Sequence, residues 1–371
     1  MATSQLNHER VDIALVFVTA HYNPKLVLPP LQKILNQCNL IGCSTAGLIL
    51  SDNIKTSGLS LLLITSDDLK IGAGVINNID QNDIMDSGNR FARNCLENYG
   101  QYNRHLFLFF IDGLLKNTST FLKGMQASLG NAFPIIGGGN CDDFHFKNTF
   151  LFYKDQVLRQ AAAGVVLGGH SVTGVCSYHG WKPLGKPRII NKSTGNVINI
   201  IDNKPAAHLY TEYFGEEVEN FRKHNLGMME ILYPLGIYVE GSNEYLLRNA
   251  VDFLDDGSIV CQGDVPQGAE AHIMIGNKDF CRQAAIRAAQ EVQDALNGQD
   301  IKLVFIIESM ARLKLLGRMA YQEILEIRNI FGASVPIFGI YTNGEIAPFQ
   351  TVEKIRKSYL LNESIVITGI C

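Results

Sequence analysis

Short, nearly continuous apolar runs recur along the chain, each closed by glycine or by polar turn residues. VDIALVFVT from Val11, HLFLFFI from His105, AAAGVVLGG from Ala161 and IKLVFII from Ile301 are the clearest. Runs this short, rich in β-branched and aromatic residues and without alternation, predict strands buried on both faces. Between them the apolar positions take helical spacing. Leu31, Ile34, Leu35 and Cys38 follow Pro29-Pro30, and Ile84, Gly88, Phe91 and Cys95 follow Asp83. Cys281, Ala284, Ala285, Ala288, Val292 and Ala295 mark a helix over 279–296, and two more are expected near 119–129 and 318–331.

Strand, helix and strand joined by short links make a right-handed parallel crossover. The predicted fold class is therefore α/β. Hairpins are expected where GLSLLLIT meets KIGAGVI at Asp67-Asp68, where TFLFYKDQVL meets AAAGVVLGG through Lys154-Asp155, and at the end, between IRKSYLLN and SIVITGI. A helix is also expected near 204–214, followed by short strands over 233–266. The order KIGAGVI, helix, HLFLFFI, helix, PIIGG returns as AHIMIG, helix, IKLVFII, helix, VPIFG, which reads as a duplication. The Gly-, Pro-, Lys- and Ser-rich stretch 170–196 separates the halves and places a boundary near 175. Two related α/β domains, with mixed, largely buried sheets flanked by helices, are expected.

Three strand ends share a pattern: NLIGCSTAGLI from Asn39, PIIGGGNCDDF from Pro134 and VPIFGIYTNGEIAP from Val335. Aligned on Gly42, Gly137 and Gly339, they place Thr45, Asn140 and Thr342 three residues later. A buried strand that breaks into permissive polar residues is how α/β proteins build sites at strand ends. With Gly42, Ser44, Gly139, Tyr341 and Gly344, these residues offer hydroxyl, amide and backbone N–H groups to a carboxylate or phosphate oxygen. The alternative is that they only satisfy tight turns.

Glu345 and Arg312 are expected at the carboxyl ends of neighbouring parallel strands, facing one crevice. An amino acid would meet them with its ammonium and carboxylate, or the two would pair with each other to fix the loop. Cys43 raises a second possibility, a nucleophilic thiol in a Gly/Ser/Thr turn, set against an ordinary core thiol. Asp142, Asp143 and His145 read as turn residues rather than metal ligands, because three donors in four positions cannot readily converge. GGGN at Gly137 lacks the Lys-Ser/Thr of a phosphate loop and the G-x-G-x-x-G of a dinucleotide fold. The segment WKPLGKPR from Trp181 is either a docking surface or a linker packed between domains.

Composition narrows the classes further. At 371 residues the chain exceeds one ordinary core, and 46% apolar with 18% charged residues is a globular balance. A net charge of −4 gives no general attraction to nucleic acid or an acidic membrane. No run is long enough to span a bilayer and the polar N-terminus has no signal-peptide core, so a cytoplasmic protein is expected. The eight cysteines form no C-x-x-C pair and read as buried thiols, without a zinc site.

GCSTAGLI, GLSLLLIT, HGWKPLG, ESMARLKLLG, PIFGIYTNGEIAP and LNESIVI, in this order and spacing, resemble the FIST family of sensory proteins with paired N-terminal and C-terminal domains. The resemblance runs from about Val11 to Ile370 and implies a FIST N-like domain over 11–175 and a FIST C-like domain over 176–371. It implies an intracellular sensor of a small ligand, with amino acids as suggested ligands; the favoured reading is non-enzymatic, with no cofactor. Leu48 stands where the family pattern has an acid, and Ser309 where a cysteine is common. No kinase, methyl-acceptor or cyclase segment follows within the sequence, so a separate signalling protein is the expected output partner. A thiol or acyl-transfer enzyme using Cys43, and a scaffold without ligand, are the alternatives.

Overall fold

The three glycine-bearing strand ends belong to three copies of one unit in the computed structural model, which describes residues 10–35, 38–51, 53–215, 232–242, 244–349 and 357–371. Each copy is a strand, a crossover helix, a parallel strand, a hairpin and a return strand. The first runs through Ile13–Thr19, helix Pro24–Ile34, Asn39–Thr45, the hairpin Leu48–Leu50 with Asn53–Lys55, and Leu59–Ile64. The second uses Arg104–Ile111, helix Thr118–Leu129, Ile135–Gly139, the hairpin Leu151–Tyr153 with Gln156–Leu158, and Ala162–Gly169. The third uses Leu303–Ser309, helices Met310–Leu316 and Ala320–Phe331, Ile337–Thr342, the pair Glu345–Pro348 with Ser358–Leu360, and Ile365–Ile370.

In every copy the first two strands pair in parallel and the last returns antiparallel to the first. The hairpins do not stay in their own sheets. Leu48–Leu50 pairs with Ile337–Thr342, Leu151–Tyr153 with Asn39–Thr45, and Glu345–Pro348 with Ile135–Gly139. Each unit thus lends a hairpin to another, and the exchange closes a ring.

Parallel register explains the recurring glycine. Gly42 lies opposite Val16, Gly137 opposite Phe109 and Gly339 opposite Ile306. A Cβ at these glycines would lie 1.7, 2.1 and 2.4 Å from the carbonyl oxygens of those partners. Only glycine lets the strands approach so closely.

Side chains alternate between two packed faces. Leu15 and Phe17, Leu108 and Phe110, and Phe305 and Ile307 point into one shared core. There the Phe17 ring meets Phe110 edge-on, with centroids 5.1 Å apart. The opposite faces, carrying Ala14 and Val16, Phe107 and Phe109, and Val304 and Ile306, lie in separate clusters with the flanking helices. Burial on both faces is why these strands read as unbroken apolar runs. Helix starts follow their caps: Asp83 accepts from the Asp86 amide at 3.2 Å and Asn277 from that of Phe280 at 2.8 Å.

The second and third sheets each gain one more strand, Leu69–Ile76 beside Ala162–Gly169 and Thr173–Tyr178 beside Ile365–Ile370. Helices Ile84–Tyr99 and Lys278–Ala295 pack over these additions. An eight-stranded antiparallel sheet, built from strands between Trp181 and Gly276, is inserted ahead of the third unit.

Several local pairings differ from expectation. Leu59–Ile64 and Leu69–Ile76 do not form a hairpin; the turn at Asp67-Asp68 carries the chain from the first sheet to the second. Lys154-Asp155 does turn a hairpin, but it joins Leu151–Tyr153 to Gln156–Leu158, and Ala162–Gly169 pairs elsewhere. Ser358–Leu360 pairs with Glu345–Pro348 rather than with Ile365–Ile370. Glu270–Gly276 lies in the inserted sheet, so the counterpart of Leu69–Ile76 is Thr173–Tyr178. In the second and third cases the exchanged hairpin leaves its sequence neighbour in another sheet; in the first the chain passes from one unit to the next, and in the fourth it runs through the inserted sheet. Among the described residues no helix is long and apolar enough to cross a membrane.

Candidate functional site

The exchanged hairpins bring the three strand-end turns together. The Cys141 amide donates to the Ser44 carbonyl at 3.2 Å, that of Asn343 to Gly139 at 2.8 Å, and that of Tyr341 to Gly47 at 3.1 Å. The Thr45 hydroxyl donates to the Tyr341 carbonyl at 2.7 Å. Ser44 Oγ accepts from the Phe150 amide, and Asn140 Oδ1 accepts from that of Gly113 at 2.8 Å. Gly344, at φ +84°, accepts from the Gly139 amide at 3.1 Å. Thr342 Oγ1 donates to Glu345 Oε1 at 3.0 Å, and the Ser364 amide donates to Oε2 at 3.0 Å. The turn groups largely satisfy one another.

Ser44, Thr45, Gly139, Asn140, Tyr341, Thr342, Gly344 and Glu345 therefore gather in one buried hub, whereas Gly42 lies back along its strand, between Val16 and Phe152 of the neighbouring strands. Arg312 is buried too, but it does not join Glu345. Its Nε donates to Glu308 at 2.9 Å, Nη2 to Glu323 and to the Cys281 carbonyl, and Nη1 to the His179 carbonyl at 2.7 Å. The expected Arg312–Glu345 pair is absent because Glu308 and Glu323 saturate the guanidinium. Burial alone would lower the Arg312 pKa, but Glu323 and Glu308 raise it, so the charge is kept. Burial pushes the Glu345 carboxyl up to about 8.

The hub offers almost no space. Its cavity, between Ser309, Asn343, Gly344 and Glu363, measures about 10 Å³, the room one water needs. Cys43 is fully buried against the common core, and burial holds its thiol well above the ordinary range. A nucleophile there has neither access nor a thiolate. Asp142 is occupied locally, accepting from the amides of Phe146, Lys147 and Asn148 at 2.7–2.8 Å.

A larger cavity opens nearby, at the motif HGWK. It measures about 140 Å³, space for a small metabolite, and is lined by Tyr178, His179, Lys182, Glu244, Gln283 and Arg287. Strand Thr173–Tyr178 delivers Tyr178 at its end, and Lys182 enters on the strand that begins at Trp181. Gln283 and Arg287 project from helix Lys278–Ala295, one turn apart. His179 Nδ1 accepts from the amides of Gly180 and Trp181 at 2.9 and 3.0 Å. Its proton therefore sits on Nε2, 3.0 Å from Glu244 Oε2. Burial, with the charges of Lys182 and Arg312, lowers the ring pKa to about 3, so the His179–Glu244 contact is a hydrogen bond from a neutral imidazole.

Burial raises the Glu244 pKa, while Lys182 and Arg287 pull it down. The Arg287 guanidinium lies 4.3 Å over the Tyr178 ring, and its Nε donates to Glu291 at 3.2 Å. Two cations and one partly desolvated acid thus share one opening. Of the expected site residues only Arg312 touches this cavity's wall, from behind, through the His179 carbonyl. The sequence signal was present in HGWKPLG, where His, Trp and Lys cluster in a stretch that otherwise resembles a linker.

An α/β protein of interlocked sheets with a small charged cavity is the class that fold and site define. The FIST N domain matches residues 12–204 and the FIST C domain residues 206–348. The chain belongs to the FIST family, whose domains are generally sensory domains binding small ligands in signal transduction. It is 24% identical over 290 residues to an uncharacterized protein of Methanocaldococcus jannaschii, covering 74% of this chain and 55% of that one. It is 26% identical over 244 residues to an uncharacterized protein of Mycobacterium tuberculosis, covering 63% and 59%. The chain spans somewhat over half the length of these relatives.

Proposed function

We propose that this protein is a cytoplasmic sensor that binds an amino acid without turning it over, in the cavity beside His179. The observation that carries the reading is the convergence of Lys182, Arg287 and Glu244 on an opening of about 140 Å³. An amino acid presents a carboxylate to the two cations and an ammonium to Glu244. A cation arriving at Glu244 relieves the burial that disfavours its charge. The neutral His179 ring keeps a donor on the acid without adding charge. Arg312, held between the His179 carbonyl and the buried acids, is the proposed relay from the cavity to the hub, from which a separate signalling protein would read the bound state.

The test is a thermal-shift screen of the protein against the amino acids, followed by calorimetric titration of any that stabilise it. Glu244→Gln and Lys182→Met should each weaken binding at least about tenfold, since removing one partner of a desolvated charge pair costs about 2–5 kcal/mol. A screen in which no amino acid raises the melting temperature removes the amino-acid reading. Unchanged affinity in both variants moves the site elsewhere.

A further inference from the structure

In the second and third units the outer edge of the return strand is covered. Leu69–Ile76 pairs antiparallel along Ala162–Gly169, and Thr173–Tyr178 along Ile365–Ile370. In the first unit the equivalent strand, Leu59–Ile64, pairs on one side with Ile13–Thr19 and, among the described residues, with no strand on the other. The Asp12 amide donates to the Ile64 carbonyl and that of Thr19 to Gly58, each at 3.0 Å, so even-numbered residues hydrogen-bond inward. By the alternation of an antiparallel ladder, the N–H and C=O groups of Leu59, Leu61 and Leu63 face outward. Leu59 is 41% exposed and the residues from Leu61 to Ile64 are half-buried. Native edges are usually blunted by charge or proline, and LSLLLI carries neither.

We propose that this edge is an interaction surface whose occupant is the same strand of a second copy of the chain, paired antiparallel across a twofold axis. The molecule's own two equivalent edges show what fits there: an antiparallel strand. A twofold axis sets two copies of one strand antiparallel, making the patch complementary to itself. Self-pairing would set like charges near one another in a charged strand, and this one has none. With Leu61 opposite its own copy, Leu59 faces Leu63, and each outward N–H meets an outward C=O. The two five-stranded sheets then join into one.

Light scattering on the full chain across a concentration series is expected to give twice the monomer mass, falling to the monomer mass on dilution. Leu61→Pro deletes an outward N–H, which an edge strand tolerates, and trims a half-buried side chain packed on the outer cluster of the first sheet; it should give a monomer with an unchanged circular dichroism spectrum. In the wild type, hydrogen exchange at the amides of Leu59, Leu61 and Leu63 should be slow at high concentration and fast after dilution. A protein monomeric at every concentration overturns the proposal, and so does a dimer that survives Leu61→Pro. If Leu61→Pro does not fold, exchange in the wild type decides: protection lost on dilution supports the proposal, and protection absent or independent of concentration refutes it.

Discussion

Arg312 Nη1 donates to the carbonyl oxygen of His179 at 2.7 Å, so the guanidinium that holds Glu308 and Glu323 also fixes the back wall of the charged cavity. Its role is positional. Arg312→Ala would strand two buried carboxyls and two backbone carbonyls without their donor. Breaking a buried ion pair from one side costs about 3–5 kcal/mol. The expected result in urea is a loss of stability of that order, with ligand affinity falling as a consequence. A variant as stable as the wild type would show that the acids are held by something else.

Glu345 makes stability depend on pH in a direction that can be worked out. Its folded pKa, about 8, lies above its ordinary 4.5, so between these values the native state holds a proton that the unfolded state has released. Its contribution is whole below pH 4.5 and is lost as pH rises through about 8. Glu345→Gln mimics the protonated form and does not titrate. The stability of the variant relative to wild type should therefore improve between pH 5 and pH 8, by up to several kcal/mol, since each tenfold difference in proton affinity is worth about 1.4 kcal/mol. Denaturation at both pH values is the measurement, and a constant difference would mean that Glu345 is ionised in the folded protein.

The elements were legible because the strands are buried on both faces and their helices are amphipathic and capped. The recurrence of Gly42, Gly137 and Gly339 also showed correctly that one architecture is repeated. What the residues did not show is where the hairpins go. Leu48–Leu50 and Ile337–Thr342 are remote in sequence and carry no local mark of their pairing. For the same reason the turns looked like an open crevice, whereas the exchange packs each against another and fills it. Arg312 was correctly placed after its strand, but its partners, Glu308 four residues before and Glu323 eleven after, were invisible to an argument that sought them across the sheet.

Cys43 gives a test of access. Its thiol is buried, and burial holds its pKa well up, whereas Cys38 and Cys371 are half-buried. Under native conditions an alkylating reagent should reach Cys38 and Cys371 first and Cys43 only after unfolding, as followed by peptide mass spectrometry. Rapid, selective labelling of Cys43 near neutral pH would restore the enzyme reading.

The glycines of the parallel pairs give the most direct test of the ring. At Gly42, Gly137 and Gly339 an added Cβ meets a backbone carbonyl oxygen of a central strand, which cannot move without breaking its ladder. At Gly236 a Cβ would come as close, 2.4 Å, but to the sulfur of Met274, a side chain able to turn aside. Overpacking a rigid site costs about 1–3 kcal/mol or more, and a flexible neighbour absorbs much of that. Alanine at each of the three should therefore destabilise the protein at least about twice as much as Gly236→Ala, measured by chemical denaturation. The hairpin exchange adds a second expectation: because each turn is bonded to another unit's turn, alanine at any one glycine should loosen all three. Faster hydrogen exchange at the Tyr341, Asn343 and Cys141 amides in the Gly42→Ala protein would show this coupling. A change confined to the first unit would mean that the three turns touch without acting together.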